Sequence, residues 1–441
     1  MKQHGLHSRR SLLKLLGTSV AAAPFVTSNL MANSPAMRLR HASFGAGGMA
    51  WSDLAQIADC QNVDIVAICD VDLTRTEEAK RIFPKATIYQ DWRVLLEKEE
   101  KNLDSVNVST PDHMHAAIGM SAMQLGKHVY GQKPLAHNLH EVRRMTELAE
   151  EKKLVTQMGI QVHSSAYYRI AVQLLKVDCI GKIQEIHSWC NKSWGDSAPT
   201  PNRIDPIPEK FNWDLWLGVR PERPFIGGGY HHPGNWRKRL DFGTGTLGDM
   251  GCHILDPIFG GIGLGPPVTL RSEGTQPNTT NWAVNGKVIY TFDGTDRTAD
   301  DSLIVTWYDG NMRLPTEICA RIEDKQLPDS GSIIIGSEGV MLLPHMERPY
   351  LFPSIKYKDF NFPKIKGLNH WSQFVNACRG EGKTTADFNY AGPLTETILL
   401  GGIASHFPQS TLEWNSREMN FKQSEANRMI RGTYREGWNI P

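Results

Sequence analysis

Gly45-Ala46-Gly47-Gly48-Met49-Ala50 is the stretch on which the reading of this chain turns. It follows a short apolar run, residues 38–44 (RLRHASF), that can form a strand, and it leads into a helical stretch ending near Asp59. The pattern is G-x-G-x-x-A. Gly45 makes the tight turn, Gly47 lets the backbone approach a pyrophosphate, and Ala50 allows close packing of helix on strand. The helix that starts there points its first amides at the phosphates. Gly45, Gly47, Gly48 and Ala50 are therefore the expected phosphate-side residues. A second apolar run, Val63-Asp64-Ile65-Val66-Ala67-Ile68-Cys69, ends at Asp70. An acid at that point, roughly 20 residues past the glycines, is placed to bind the adenosine ribose hydroxyls. Its charge favours NAD, and Arg75 nearby blunts the preference against NADP.

Working outward, the chain keeps an α/β rhythm. Residues 77–81 read as helix, 88–89 as a short strand, 92–100 as helix and 103–108 as strand. That strand runs into Ser109-Thr110-Pro111-Asp112-His113-Met114-His115. A helix over 116–125 closes at Gly126, a good C-cap residue. A strand over 128–130 meets Gly131-Gln132-Lys133-Pro134, followed by a charged amphipathic helix over 138–152 and a last strand over 154–158. This alternation predicts a doubly wound parallel sheet. Ligands gather beyond the carboxyl ends of such strands, where the Thr110-Pro111 and Lys133-Pro134 turns fall.

The second half predicts an α+β domain with a large open, mainly antiparallel sheet. Strands are expected over 288–292, 302–308, 331–335 and 340–343, with a hairpin at Asp309-Gly310 leading into 311–314. Helices over 370–378 and 394–406 are expected to cover one face of that sheet. A Trp-, Gly- and Pro-rich loop region, residues 189–245, lies between; loops of this length and aromatic content commonly carry function.

Ser8-Arg9-Arg10-Ser11-Leu12-Leu13-Lys14, then a modest apolar run to Val26 and Ala32-Asn33-Ser34, reads as a twin-arginine export signal over residues 1–34. It departs from that consensus at Leu12, where Phe is usual. The expected divisions are thus 1–34, 35–160 for dinucleotide binding, and 161–441 for substrate binding. The expected location is the periplasm or another site outside the cytoplasm, reached folded through the Tat machinery. A hydrophobic content of 40% and a formal net charge of +1 give no case for a nucleic-acid partner. The seven cysteines are scattered without a C-x-x-C pair, and His231-His232 lacks a third ligand at suitable spacing, so no metal is expected.

G-x-G-x-x-A, Asp70, Ser-Thr-Pro-Asp-x-x-His, Lys133-Pro134 after a strand and Gly248-Asp249-Met250-Gly251-Cys252-His253, in this order, resemble the Gfo/Idh/MocA oxidoreductase family. The resemblance implies a Rossmann domain, an oligomer formed through the open sheet, and hydride transfer between a sugar or polyol and NAD. It implies His253 as general acid/base, Lys133 as holder of the reacting oxygen beside the cofactor, and Asp249 as the group that orients or polarises His253 or contacts a neighbouring hydroxyl. Asp249 and His253 are four apart and share a face if the segment is helical. Thr110, Pro111 and His115 would stand near the nicotinamide, with His115 orienting the turn. Tyr230, Trp236 and Arg237 are candidate sugar contacts: aromatic faces suit a pyranose, and Arg supplies directed hydrogen bonds. One position departs from the family, Gln132 where Glu is usual, which removes a charge near the cofactor. Two other functions stand beside the dehydrogenase. One is an NAD-dependent glycoside hydrolase acting through transient oxidation and elimination. The other is a nucleotide-binding regulator without turnover, against which the intact Lys, Asp and His speak.

Overall fold

The computed structural model describes residues 38–438; the export signature lies outside the described residues. Six strands form the first sheet: β1 (Leu39–Phe44), β2 (Val63–Cys69), β3 (Thr87–Tyr89), β4 (Ser105–Val108), β5 (His128–Gly131) and β6 (Thr156–Met158). All neighbours are parallel, in the order β3-β2-β1-β4-β5-β6. This is the expected doubly wound sheet. The strand order reverses between β1 and β4, and the ligand crevice opens at that point. Both faces of the sheet are covered, which is why β1 and β4 are buried along nearly their whole length.

The helix Leu139–Glu151 shows how local chemistry builds the domain. Asn138 Oδ1 accepts from the Glu141 amide at 3.0 Å, and Glu141 Oε2 accepts from the Asn138 amide at 3.2 Å, a reciprocal cap. Leu139, Val142, Met145 and Leu148 then recur at helical spacing and are buried. Tyr434 from the C-terminal tail donates to Glu141 Oε1 at 2.7 Å, tying the end of the chain to the first domain.

The second sheet has nine strands: β7 (Ile183–Cys190), β8 (Thr269–Ser272), β9 (Gly286–Asp293), β10 (Ser302–Asp309), β11 (Ser330–Gly336), β12 (Val340–Pro344), β13 (Tyr350–Phe352), β14 (Thr411–Asn415) and β15 (Asn420–Phe421). Their order is β13-β12-β11-β7-β10-β9-β8-β14-β15. The pairing is antiparallel except for β7 with β10. On β9, Val288, Tyr290 and Phe292 alternate into the core, as the sequence pattern predicts.

Two expectations are corrected. The Asp309-Gly310 turn makes no hairpin, because β10 is already flanked by β9 on one side and β7 on the other, leaving no free edge for a returning strand. Gly310 still turns with φ 61, and the chain moves on to the short helix Thr316–Cys319. Of the two helices expected to cover the second sheet, the first packs on the first domain instead, and the second covers β8 and β9 while also joining the two domains. His370–Cys378 packs on Met49–Ala58 of the first domain. The other starts earlier than expected: Asp387 caps it, and it runs over Phe388–Ala404 with Pro393 inside. It is buried on nearly all sides, touching the Leu139–Glu151 helix and β6 as well as β8 and β9.

The fully buried Phe374 shows how firm this junction is. It meets the rings of His41 on β1 and Tyr130 on β5 edge-on, with centroids 6.4 and 5.8 Å away. Removing it opens a cavity under the first sheet. Phe374→Ala is expected to lose about 3–5 kcal/mol of unfolding free energy in urea titrations. A loss under about 1 kcal/mol would show that the helix does not pack as described.

Candidate functional site

Beyond the carboxyl ends of β1, β4 and β5 lies a cavity of about 340 Å³. At one end is the glycine turn. Gly45 has φ 101, and a Cβ there would stand 2.7 Å from both Ala50 Cβ and the Ser109 carbonyl oxygen, so turn and helix close together as the motif predicts. Gly47 has no room either: its Cβ would meet Arg75 Cδ at 2.5 Å. Gly48, at φ 60, begins the helix Met49–Ala58. No side chain caps that helix and no acid occupies its first turn, so its leading amides remain available to an anion. These features fit a dinucleotide pyrophosphate.

Asp70 closes the same end. Its Oδ2 accepts from the Ala46 amide and its Oδ1 from the Asp72 amide, both at 2.9 Å. Burial pushes its carboxyl up to about 6, against the pull of those two amides and of Arg75. Asp70 therefore braces the glycine turn as well as facing the cavity; each oxygen keeps a second lone pair for a ribose hydroxyl. Asp72 beside it holds His232 Nε2 at 3.0 Å, drawing the aromatic loop onto this rim.

At the other end, Lys133 follows β5 and reaches into the second domain. Its Nζ donates to the Asp249 carbonyl at 2.6 Å and to Asp249 Oδ1 at 2.8 Å. Asp249 Oδ2 accepts from Trp194 Nε1 at 2.8 Å, and Arg237 Nε stands 3.5 Å from Oδ1. Burial alone would raise the Asp249 carboxyl, but the charges of Lys133 and Arg237 outweigh it and hold it well below the usual carboxylate range.

His253 lines the same cavity, with its Nδ1 buried and unpartnered. Burial, reinforced by the charges of Lys133 and His345, pushes its pKa well below the ordinary histidine value; Asp249 opposes this. The direct Asp249–His253 contact expected from their spacing is absent. The segment Leu247–Gly251 is a π-helical turn that gives way to α-helix at Cys252, so the i,i+4 alignment is lost and the Asp249 carboxylate faces Lys133 instead.

The turns near the cavity are cross-braced. His115 has one ring nitrogen 2.8 Å from the Pro134 carbonyl and the other 2.8 Å from the Thr110 carbonyl, joining the Thr110-Pro111 and Lys133-Pro134 turns. Gln132 Nε2 donates at 2.9 Å to Asp53 Oδ2, and Asp53 also accepts from Ser109 and Trp371. A glutamate at 132 would set two carboxylates together in a buried place. The departure from the family pattern is matched by an acid supplied from the first helix.

Thr110, Pro111, His115, Lys133, Trp236, Arg237, Asp249 and His253 thus line one cavity with the glycine turn and Asp70. Tyr230 does not: its hydroxyl contacts Thr200, and Arg239 stacks 3.7 Å over its ring, away from the cavity. Trp213 and Trp216 stack at 4.9 Å within an aromatic cluster that anchors the loop. Sequence reasoning passed over Trp194, Lys192 and Asp53, whose spacing follows no motif.

The crevice is that of a dinucleotide-binding Rossmann fold, and it ends at a lysine–carboxylate–histidine group. The Gfo/Idh/MocA model for the oxidoreductase NAD-binding Rossmann fold matches residues 39–160, and that for the family's C-terminal alpha/beta domain matches residues 181–300. The chain belongs to the Gfo/Idh/MocA oxidoreductase family. Levoglucosan dehydrogenase of Pseudarthrobacter phenanthrenivorans is 24% identical over 179 residues, 41% of this chain and 37% of that protein. The NADP-dependent scyllo-inositol 2-dehydrogenase IolW of Bacillus subtilis is 25% identical over 47% of this chain and 48% of its own. A glycosyl hydrolase family 109 protein of Shewanella is 26% identical over 41% of each. The chain spans less than half the length of these relatives. Among solved structures, the WlbA dehydrogenase of Bordetella pertussis, in complex with NADH and UDP-GlcNAcA, aligns with TM-score 0.61 at 14% identity. The alignment covers 86% of this chain and 99% of that one. Levoglucosan dehydrogenase with NADH and levoglucosan aligns with TM-score 0.59 at 16% identity and the same coverage. At these identities the fold is what is shared.

The crowding at Gly47 gives a test of its role. Gly47→Ala is expected to abolish retention of NAD, measured by calorimetry on protein stripped of nucleotide. Adding Arg75→Ala frees the space for the new methyl but leaves it between backbone and pyrophosphate, so binding is expected to stay lost. Recovery in the double variant would mean that Gly47 serves Arg75 rather than the nucleotide.

Proposed function

We propose that the protein is an exported NAD-dependent dehydrogenase moving hydride between a secondary alcohol of a sugar or polyol and a tightly held nicotinamide. The observation that carries this reading is one cavity with Gly45, Gly47 and Asp70 at one end and Lys133, Asp249 and His253 at the other. When bound, NAD supplies the hydride acceptor; the chain must orient the alcohol and take its proton. His253, held neutral by burial and by the Lys133 charge, is the base. Lys133 has three N–H donors, of which two are committed to Asp249; the third is free for the reacting oxygen. Asp249 keeps that ammonium aimed. The levoglucosan and inositol dehydrogenases among the relatives support a polyhydroxylated substrate.

Export rests on Arg9-Arg10 ahead of the apolar run. A protein sent out folded meets little free NAD, so nucleotide loaded beforehand should stay bound. Denaturing the purified protein is expected to release near-stoichiometric nicotinamide nucleotide by mass spectrometry; its absence would count against a retained cofactor. The glycosyl hydrolase family 109 relatives favour a second reading, NAD-dependent glycoside cleavage. Incubation with nitrophenyl glycosides separates the two. Net reduction of the cofactor by free sugars supports the dehydrogenase, and nitrophenol release without net reduction supports the hydrolase.

General acid–base help is typically worth about 10²–10⁴-fold, so His253→Ala and Lys133→Met are each expected to lose about that much in kcat while still holding NAD. The rising limb of the pH–rate profile should lie below 6.5, because the neutral form of His253 persists into acid. Lys133→Met removes a charge that depresses His253, so the limb should move to higher pH. Asp249→Asn removes one that raises it, so the limb should move to lower pH. Shifts in the same direction for both variants would remove His253 as the titrating base.

A further inference from the structure

The catalytic end of the cavity holds more positive charge than proton transfer from a neutral alcohol needs. Lys133, Arg237 and Lys192 approach the single carboxylate of Asp249 at 2.8, 3.5 and 3.9 Å. A second acid, Asp112, is buried behind them, with Oδ2 accepting from Thr244 Oγ1 at 2.6 Å. Lys133 gives two of its three donors to Asp249 and the third to the reacting oxygen, whereas the other two cations make no such commitment. Lys192 has as its remaining side-chain contact the Met250 sulfur at 3.3 Å, a weak acceptor, and its side chain is 57% exposed.

Arg237 is the more telling residue. Its guanidinium lies 4.2 Å from the Trp236 ring and 5.6 Å from the Trp194 ring. Both rings are tethered, Trp194 by its Nε1 bond to Asp249 and Trp236 by Nε1 to the Pro233 carbonyl at 3.2 Å. The Nε approach to Asp249 accounts for one edge of the group. Among the described residues, its two terminal nitrogens donate to nothing, although the side chain lines the cavity. A planar fork held in place and left without an acceptor matches a carboxylate, which can take two parallel N–H bonds.

We propose that the substrate is an acidic sugar, a uronic or aldonic acid, whose carboxylate is received by Arg237 with Lys192 beside it. This rests on the dehydrogenase reading and names the substrate class for that same site. Arg237 fixes the acid end, and the alcohol to be oxidised then falls between Lys133 and His253.

The test uses the full chain with its nucleotide bound and matched probes: glucuronate against glucose, galacturonate against galactose, gluconate, and glucose 6-phosphate. Cofactor reduction gives kcat and KM, and tryptophan fluorescence gives binding, since two indoles flank Arg237. The acid of each pair is expected to be preferred by roughly 10- to 100-fold in kcat/KM, the effect of a charge-assisted hydrogen bond. Its KM should rise with ionic strength. Arg237→Gln should raise KM for the acid and bring the acid-to-neutral ratio towards one, while Arg237→Lys, which keeps a point charge, should recover part of it. Equal or better use of the neutral sugar, preference for the phosphate over the acids, or an unchanged ratio in Arg237→Gln would overturn the proposal. If none of the probes reduces the cofactor, the dehydrogenase reading fails on its own. Fluorescence then decides the acid site: binding of the uronates lost in Arg237→Gln supports it, and no binding overturns it.

Discussion

The ion pair between Lys133 and Asp249 is the contact on which the rest of the site depends. It joins residues 116 apart in sequence, one at the carboxyl end of β5 and the other on the π-helical turn of the second domain. Each side chain is only 11% exposed. Burying two charges costs several kcal/mol per ion, and their attraction commonly does no more than offset it. A hydrophobic pair would hold the domains at least as well. Stability is thus a poor reason for these residues, and the placement of an ammonium and a histidine over the nucleotide crevice is a better one.

The surroundings keep that pair in one geometry. His115 ties together the two turns that flank the crevice, and the Gln132–Asp53–Ser109 network sets the backbone just before Lys133. From the far side, Trp194 and Arg237 share the Asp249 carboxylate. The helices His370–Cys378 and Phe388–Ala404 lock the two domains behind the site. Lys133, Asp249 and His253 therefore sit on two turns and a helix start whose supports come from both domains, the arrangement that the proposed proton transfer requires.

The Rossmann half was legible because each of its parts has a local cause. Gly45 needs a positive φ, the run into Asp70 is a strand whose last three residues are buried, and Gly126 ends a helix. The second half was less so. Asp309-Gly310 carries a strong turn signal, but strand neighbours far along the chain decide whether a turn becomes a hairpin. Pro393 hid the first turns of a helix whose burial on nearly all sides offsets the lost backbone bond. In the site, Lys133, Asp249 and His253 came from motif order and do meet in one cavity. Their partnership did not follow from spacing, because one π-helical turn rotates Asp249 away from His253. Trp194 and Lys192 reach Asp249 through the tertiary fold alone, and Tyr230 is drawn off by Arg239 stacking.

The central claim is that Lys133 and Asp249 act as one unit at the reacting alcohol. A double-mutant cycle on kcat tests it most directly, with Lys133→Met, Asp249→Asn and the pair, on nucleotide-loaded protein and the sugar it turns over best. Residues acting as a unit are strongly non-additive, so the double variant should be about as slow as the slower single one. If the two losses multiply, Lys133 and Asp249 act independently and the account is contradicted.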